Sequence, residues 1–353
     1  MKKKIINKVI KSKINDWLLS IDDLDLRKSL KDKIIVTGGC IASMLLNENV
    51  NDYDVYLTDK EIVKRISKYY CNKHNEINKN KENKIGMSAK AWVLDGSDVE
   101  LWKAGKKTLP EFAHNYVNDI PYIEPNILNG DTIQPSNMFV NTSEDRIKII
   151  INSDGVSSTD EDDKNYDDIL TELDEINAQI NTKESNEKEK KYQVAFLSSN
   201  AITLKNNIQI VIRFYGDADA IHENYDFVHT KNYWTFEDGV ILNPKSIEAI
   251  LNKELIYAGS KYPLSSVIRT RKFIKRGWQI NAGQYLKMCF QISDLNLNDI
   301  SVLEDQLVGV DSAYFSMFIN IIRNDIKKGK LNSKSFNVND TYVVSVIDKV
   351  FGE

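Results

Sequence analysis

Asp52 and Asp54 alternate with Tyr53 and Val55 in the run Val50 to Leu57. In extended chain this spacing puts both carboxylates on one face, about 7 Å apart. Two like charges so placed repel, and the usual relief is solvent or a bridging cation. Mg2+ held between carboxylates and substrate phosphates is the common arrangement in phosphoryl and nucleotidyl transfer. Just upstream, the β-branched run Lys33 to Thr37 ends in Gly38-Gly39, and Cys40 to Leu46, with Ser43 inside it, has helix-forming character. A glycine pair between strand and helix lets a phosphate approach backbone amides at the positive end of a helix. The plainer alternatives are a tight strand-to-helix turn for the glycines and a surface turn, continuing Asn47 to Asn51, for the carboxylates.

The elements that must position these residues are legible as periodicities. Apolar residues one turn apart between Lys8 and Leu30, broken by Asp22, Asp23 and Asp25, predict two short helices. Strand, glycine turn and short helix follow, then the Val50 to Leu57 strand and a helix capped by Thr58-Asp59 and running to about Tyr70. The order is β-α-β-α. The polar stretch Asn72 to Lys84 reads as a loop. Ala89 to Leu94 and Asp98 to Trp102 read as a hairpin around Asp95-Gly96. Residues 153–191 shift sharply in composition, with the acidic run after Ser157 and alternating charge from Lys183, and are read as an insertion: a solvated helix with flexible ends, or a partner-binding arm. Strands are expected at Gln193 to Leu197, Ile208 to Phe214 and Phe227 to Trp234. From Asn243-Pro244 the pattern is helical: Ser246 to Leu251, Ser265 to Lys275, Ala282 to Phe290, Ser301 to Leu307, Tyr314 to Ile326 and Thr341 to Phe351.

Gly38-Gly39 with Ser43, followed by Asp52-Tyr53-Asp54-Val55, resembles the signature of the polymerase-β-like nucleotidyltransferase superfamily. The block around Asn200-Ala-Ile-Thr, Ile208 to Arg213, Asp226 and Arg269 to Gly277 is similar to its viral and phage members, distant relatives of poly(A)- and CCA-adding enzymes. The resemblance implies an α+β fold: a nucleotidyltransferase palm of mixed sheet and flanking helices over residues 1–240, and a mostly helical region over 241–353. It also implies Mg2+ (or Mn2+) on Asp52, Asp54 and a third carboxylate, with Asp226 the first choice and Asp98 or Glu100 the alternatives. NTP, with ATP favoured, would lie on Gly38, Gly39, Ser43 and Lys272.

The basic run Arg269, Arg271, Lys272, Lys275 and Arg276 contains no acid and is read as an RNA or phosphate path, against the alternative of a solvated helix. Trp278 and Tyr285 read as core, or as base-stacking platforms. The expected activity is template-independent transfer of NMP to an acceptor hydroxyl, an RNA 3′ end first and a protein or small molecule second. The rival reading is a catalytically silent binding or virion structural module.

With 47 Lys+Arg against 51 Asp+Glu, a uniformly basic nucleic-acid coat is excluded. Three cysteines without ligand spacing, Cys40, Cys71 and Cys289, argue for a reducing compartment, so the cytoplasm is expected, that of the host if the chain is viral, with the virion as the other location. No membrane partner is expected, because no apolar stretch reaches membrane-spanning length. The histidines His74, His114, His222 and His229 form no zinc pattern, and His229 reads as core or as support for Asp226.

Overall fold

The computed structural model describes residues 1–79, 90–111, 113–114, 127–128, 131–132, 147–152, 191–198, 200–299, 302–303, 306, 321–322, 328 and 341–351. The chain divides into two compact units. The first is Met1–Ile221 with Tyr233–Ile241; the second is His222–Asn232 with Leu242–Glu353.

The first unit opens with α1 (Lys3–Leu19) and α2 (Leu24–Lys31). Ile6, Ile10, Ile14, Trp17 and Leu18 form the buried stripe of α1, each contributing roughly 1.5–3 kcal/mol of burial. Asp23 caps α2 by accepting from the Asp25 and Leu26 N–H groups. Next come β1 (Ile34–Thr37), α3 (Gly39–Leu45), β2 (Tyr53–Leu57) and α4 (Lys60–Lys79). Every residue of β1 is buried, which is why its sequence is a continuous apolar run rather than an alternation.

A short antiparallel pair, β3 (Lys90–Leu94) with β6 (Lys148–Asn152), stands apart from the main sheet, as does the two-residue pair β4 (Ile127–Leu128) with β5 (Asp131–Thr132). The main sheet is completed by β7 (Val194–Leu197), β8 (Ala201–Leu204), β9 (Ile208–Tyr215), β10 (Tyr233–Thr235) and β11 (Gly239–Ile241). Its order is β11-β10-β1-β2-β9-β8-β7. β2 pairs antiparallel with β1 and parallel with β9, so it is the central strand, and α4 packs against both β2 and β9 within the long crossover between them. Asn206 and Asn207, both at positive φ, turn β8 into β9. The expectation of an α+β chain with a mixed sheet holds at this level.

Three local expectations are corrected. The run Asn72 onward is not a loop: α4 continues to Lys79, with Asn75 bonding both the N–H and the carbonyl of Ala91. Asp98 to Trp102 is not a strand. Asp95-Gly96 starts the helix α5 (Gly96–Lys103), because the Asp95 carboxylate accepts from the Asp98 N–H at 2.9 Å and so caps a helix instead of turning a hairpin; β3 takes β6 as its partner. Phe227 to Trp234 is not a continuous strand either. Thr230 N–H and hydroxyl both donate to the Phe227 carbonyl, which closes a single 3-10 turn over Val228–Thr230 and delays β10 to Tyr233.

The second unit carries α6 (Pro244–Asn252), α7 (Pro263–Lys275), α8 (Ala282–Ser293) and α9 (Thr341–Phe351), as the helical pattern predicts. Asn243 caps α6 ahead of Pro244, the first helical residue. The expected helices Ser301 to Leu307 and Tyr314 to Ile326 and the insertion 153–191 lie outside the described residues, apart from isolated positions. No described helix is long and apolar enough to cross a membrane.

Candidate functional site

β1 and β2 run antiparallel with Thr37 opposite Asp54, so the chain leaving β1 meets the start of β2. Gly38 sits there at φ 86° and ψ −151°. A side chain at Gly38 would be strained by that φ and would also collide with the Asp54 carboxylate. Gly39 differs: it begins α3, and a Cβ there would meet nothing within 4 Å. The Gly38-Gly39 pair therefore divides its work, with Gly38 enforcing close contact with Asp54 and Gly39 leaving open space.

Asp54 is half-buried and Asp52, just before β2, is exposed, while Tyr53 between them is buried and donates its N–H to the Asn207 carbonyl at 2.9 Å. Cys40 lies beneath the pair on α3, its thiol 3.6 Å from the Thr37 carbonyl. Burial, then the charges of Asp54 and Asp52, push that thiol well above its usual range, so it stays neutral. Ser43 is buried in the interior of α3. Asp52 and Asp54 offer the hard oxygen donors that Mg2+ or Mn2+ takes, and the neutral thiol below them offers none.

Asp226, the first choice for a third carboxylate, belongs to the second unit. Its Oδ2 accepts from Arg269 Nη1 at 2.6 Å, and its carbonyl accepts from the Ala258 N–H. Arg269 is thereby committed to an ion pair within that unit. On α7, Arg271, Lys272 and Lys275 are exposed and Arg276, just past the helix end, is half-buried. Trp278 is core, whereas Tyr285 on α8 is half-buried.

His229 is buried against Trp278 (ring centroids 4.3 Å apart), Phe273 (4.6 Å) and Phe227 (6.0 Å). Its two ring nitrogens and the Trp278 Nε1 have no hydrogen-bond partner among the described residues. Burial pushes its pKa down to about 4; Asp226 opposes this and Arg276 adds to it.

The alternatives Asp98 and Glu100 part ways in the first unit. Glu100 is half-buried and paired with Lys103 at 3.1 Å. Asp98 is buried in a charge cluster that sequence reasoning missed: Lys64 Nζ lies 2.7 Å from Asp95 Oδ2 and 3.2 Å from Asp98 Oδ1, and Lys107 also bonds Asp98. Burial works to raise the Asp95 carboxyl, yet the bonds from Lys64, the Asp98 N–H and Ser97 hold it below its usual value. Only a lysine in the body of α4, outside its first turn, hinted at this in the sequence. Among the described residues no group of three or more His, Cys, Asp or Glu side chains is gathered as a metal ion would need.

Residues 8–253, more than two thirds of the chain, match the family described as Gabija anti-defense 2. No curated protein and no solved structure matches the chain. This corrects the sequence resemblance: the family that claims Gly38 to Asp54 and Asp226 is an anti-defense family, and membership of the polymerase-β-like nucleotidyltransferase superfamily is withdrawn. A glycine turn followed by two alternating aspartates is too short a pattern to separate the two.

Proposed function

Because the chain belongs to the Gabija anti-defense 2 family, we propose that it counters the Gabija defence of a host cell, and that it acts through the end of the central strand where Gly38, Asp52 and Asp54 meet. The observation that supports this placement is the approach of the Asp54 carboxylate to a positive-φ glycine, inside the matched segment. A backbone conformation restricted in this way, holding a charge near the start of a strand whose other four residues are buried, is the arrangement of a working site more than of a packing contact.

The first mode of action is binding. Asp52 and Asp54 present negative charge on a rigid strand to a cationic surface of a Gabija component and occlude it, with no chemistry. The pairing of Asp226 with Arg269 favours this mode, since that carboxylate is already neutralised within its own unit. The second mode is catalytic and is favoured by the i, i+2 spacing of Asp52, just before β2, and Asp54 within it. Here the two carboxylates hold Mg2+ or Mn2+, which when bound would supply charge neutralisation for transfer of NMP from an NTP to a hydroxyl. The acceptor would be an RNA 3′ end or a hydroxyl of a defence protein. Either mode places the protein in the host cytoplasm.

Cells carrying the Gabija system and the chain, challenged with a phage that Gabija restricts, test the proposal. The parent should restore plaques, and Asp52→Ala with Asp54→Ala should abolish that rescue at equal protein level. Retained rescue would remove this site from the function. Incubating purified parent with each labelled NTP, Mn2+ and the Gabija components separates the modes: covalent label on RNA or protein supports catalysis, and co-purification without label supports binding.

A further inference from the structure

In the first unit five side chains from three segments gather. Lys13 and Asp16 come from α1, Tyr53 from β2, and Lys191 and Tyr192 from the chain entering β7. The Lys13 Nζ lies 5.3 Å from the centroid of the Tyr53 ring and 5.9 Å from that of Tyr192. The Lys191 Nζ lies 5.6 Å from the centroid of the Tyr192 ring. Asp16 is the carboxylate of the group, and its Oδ2 accepts from both the Lys191 ammonium and the Tyr192 hydroxyl, the latter at 3.0 Å.

The consequence for Lys13 follows from counting charges. Two ammonium groups share one carboxylate, and that carboxylate already takes two donors that are not Lys13. Lys13 is half-buried among ring carbon, which strips water from its head group. The two ring faces favour the charged form, while lost hydration and the second ammonium disfavour it. We propose that Lys13 is a nucleophilic amine, a site of acylation by thioester or acyl-phosphate donors at neutral pH. The balance of charges agrees: burial first, then Lys191, bring the Lys13 pKa down to about 8, with Asp16 pulling the other way.

In the reaction, the neutral amine attacks the acyl carbon of a thioester, the new C–N bond forms, the C–S bond breaks, and the thiolate leaves while the amine proton passes to solvent. The product is an uncharged amide over Tyr53, the residue between Asp52 and Asp54, so the modified chain differs in charge at the strand that carries the candidate site.

The test is competitive acetylation of the full chain with a limiting acetyl thioester between about pH 6 and 10, with each lysine quantified by peptide mass spectrometry. An amine of lowered basicity is neutral far more often but somewhat less nucleophilic, so Lys13 should react about tenfold faster near pH 7.5 than exposed lysines such as Lys3 and Lys245. Lys191→Gln should slow it and move its pH midpoint up; Asp16→Asn should move the midpoint down. A Lys13 rate equal to that of exposed lysines, or a midpoint that neither substitution moves, overturns the assignment.

Discussion

Two aspartate pairs in the first unit invite comparison. Asp95 and Asp98 are buried, and the fold meets their charge with Lys64, Lys107 and a helix cap. Asp52 and Asp54 sit at the start of a strand, with Asp52 exposed and Asp54 pressed toward a glycine at which any side chain is strained. Burial obliges a protein to neutralise a carboxylate on the spot, whereas a carboxylate near water is also open to whatever approaches the chain. The first pair is therefore read as architecture and the second as function, and substitutions at each should fail in different assays.

The largest expected effect is on function. Asp54→Asn should remove phage rescue entirely while shifting the urea midpoint little, since it relieves repulsion from Asp52. A large stability loss in this variant would erase the contrast between the pairs. Next comes Lys64→Met, which removes the cation paired with buried Asp95 and leaves Asp98 with Lys107 alone. We expect a loss of about 3–5 kcal/mol in denaturant titration, with rescue surviving at low temperature where the protein stays folded.

A pH experiment sharpens the same logic in the second unit. His229 is neutral in the fold, with a pKa of about 4 against 6.5 for the free side chain. Between these values the unfolded chain takes up a proton that the folded chain refuses, so stability is unaffected above about pH 6.5, falls as pH drops toward 4 and levels off below. The full loss is about 3 kcal/mol. His222, whose pKa burial and then Lys231 bring to about 4, contributes in the same direction. His229→Phe should flatten the slope, as read by thermal unfolding at a series of pH values; an unchanged slope would show that His229 is not the group responsible. The smallest effect separates the glycines: Gly38→Ala should cost about 1–3 kcal/mol through backbone strain and its contact with Asp54, whereas Gly39→Ala should change stability by less than about 1 kcal/mol.

Much of this was legible in the sequence, for identifiable reasons. The continuous apolar run of β1 is a strong local pattern and forms where its residues place it, whereas α1 starts at Lys3, earlier than the expected Lys8, with Val9 and Leu19 exposed, and β2 starts only at Tyr53, after Asp52. Asp95-Gly96 misled because aspartate before glycine serves a hairpin turn and a helix cap equally well; the choice was made by partner strand β6, distant in the chain. Asp226 misled because aromatic and β-branched neighbours read as a strand, while a threonine three residues beyond Phe227 bent the backbone into a turn. Which glycine of Gly38-Gly39 mattered depended on the register of β1 against β2, and composition carries no register.

The parallel junction of β2 with β9 has a kinetic consequence. β1 finds its other neighbour in β10, Val36 opposite Trp234, and β2 finds β9 only at Ile208 and beyond. At about 5–20 residues per second of synthesis, roughly 10–40 s separate β1 from the strand that closes its edge. Through that interval the nascent chain holds a largely apolar β1–β2 ribbon with open edges, the kind of edge that recruits other chains. The glycine turn and its aspartates are thus made early but fixed late, and a protein released before β10 would carry both without the sheet that holds them in place.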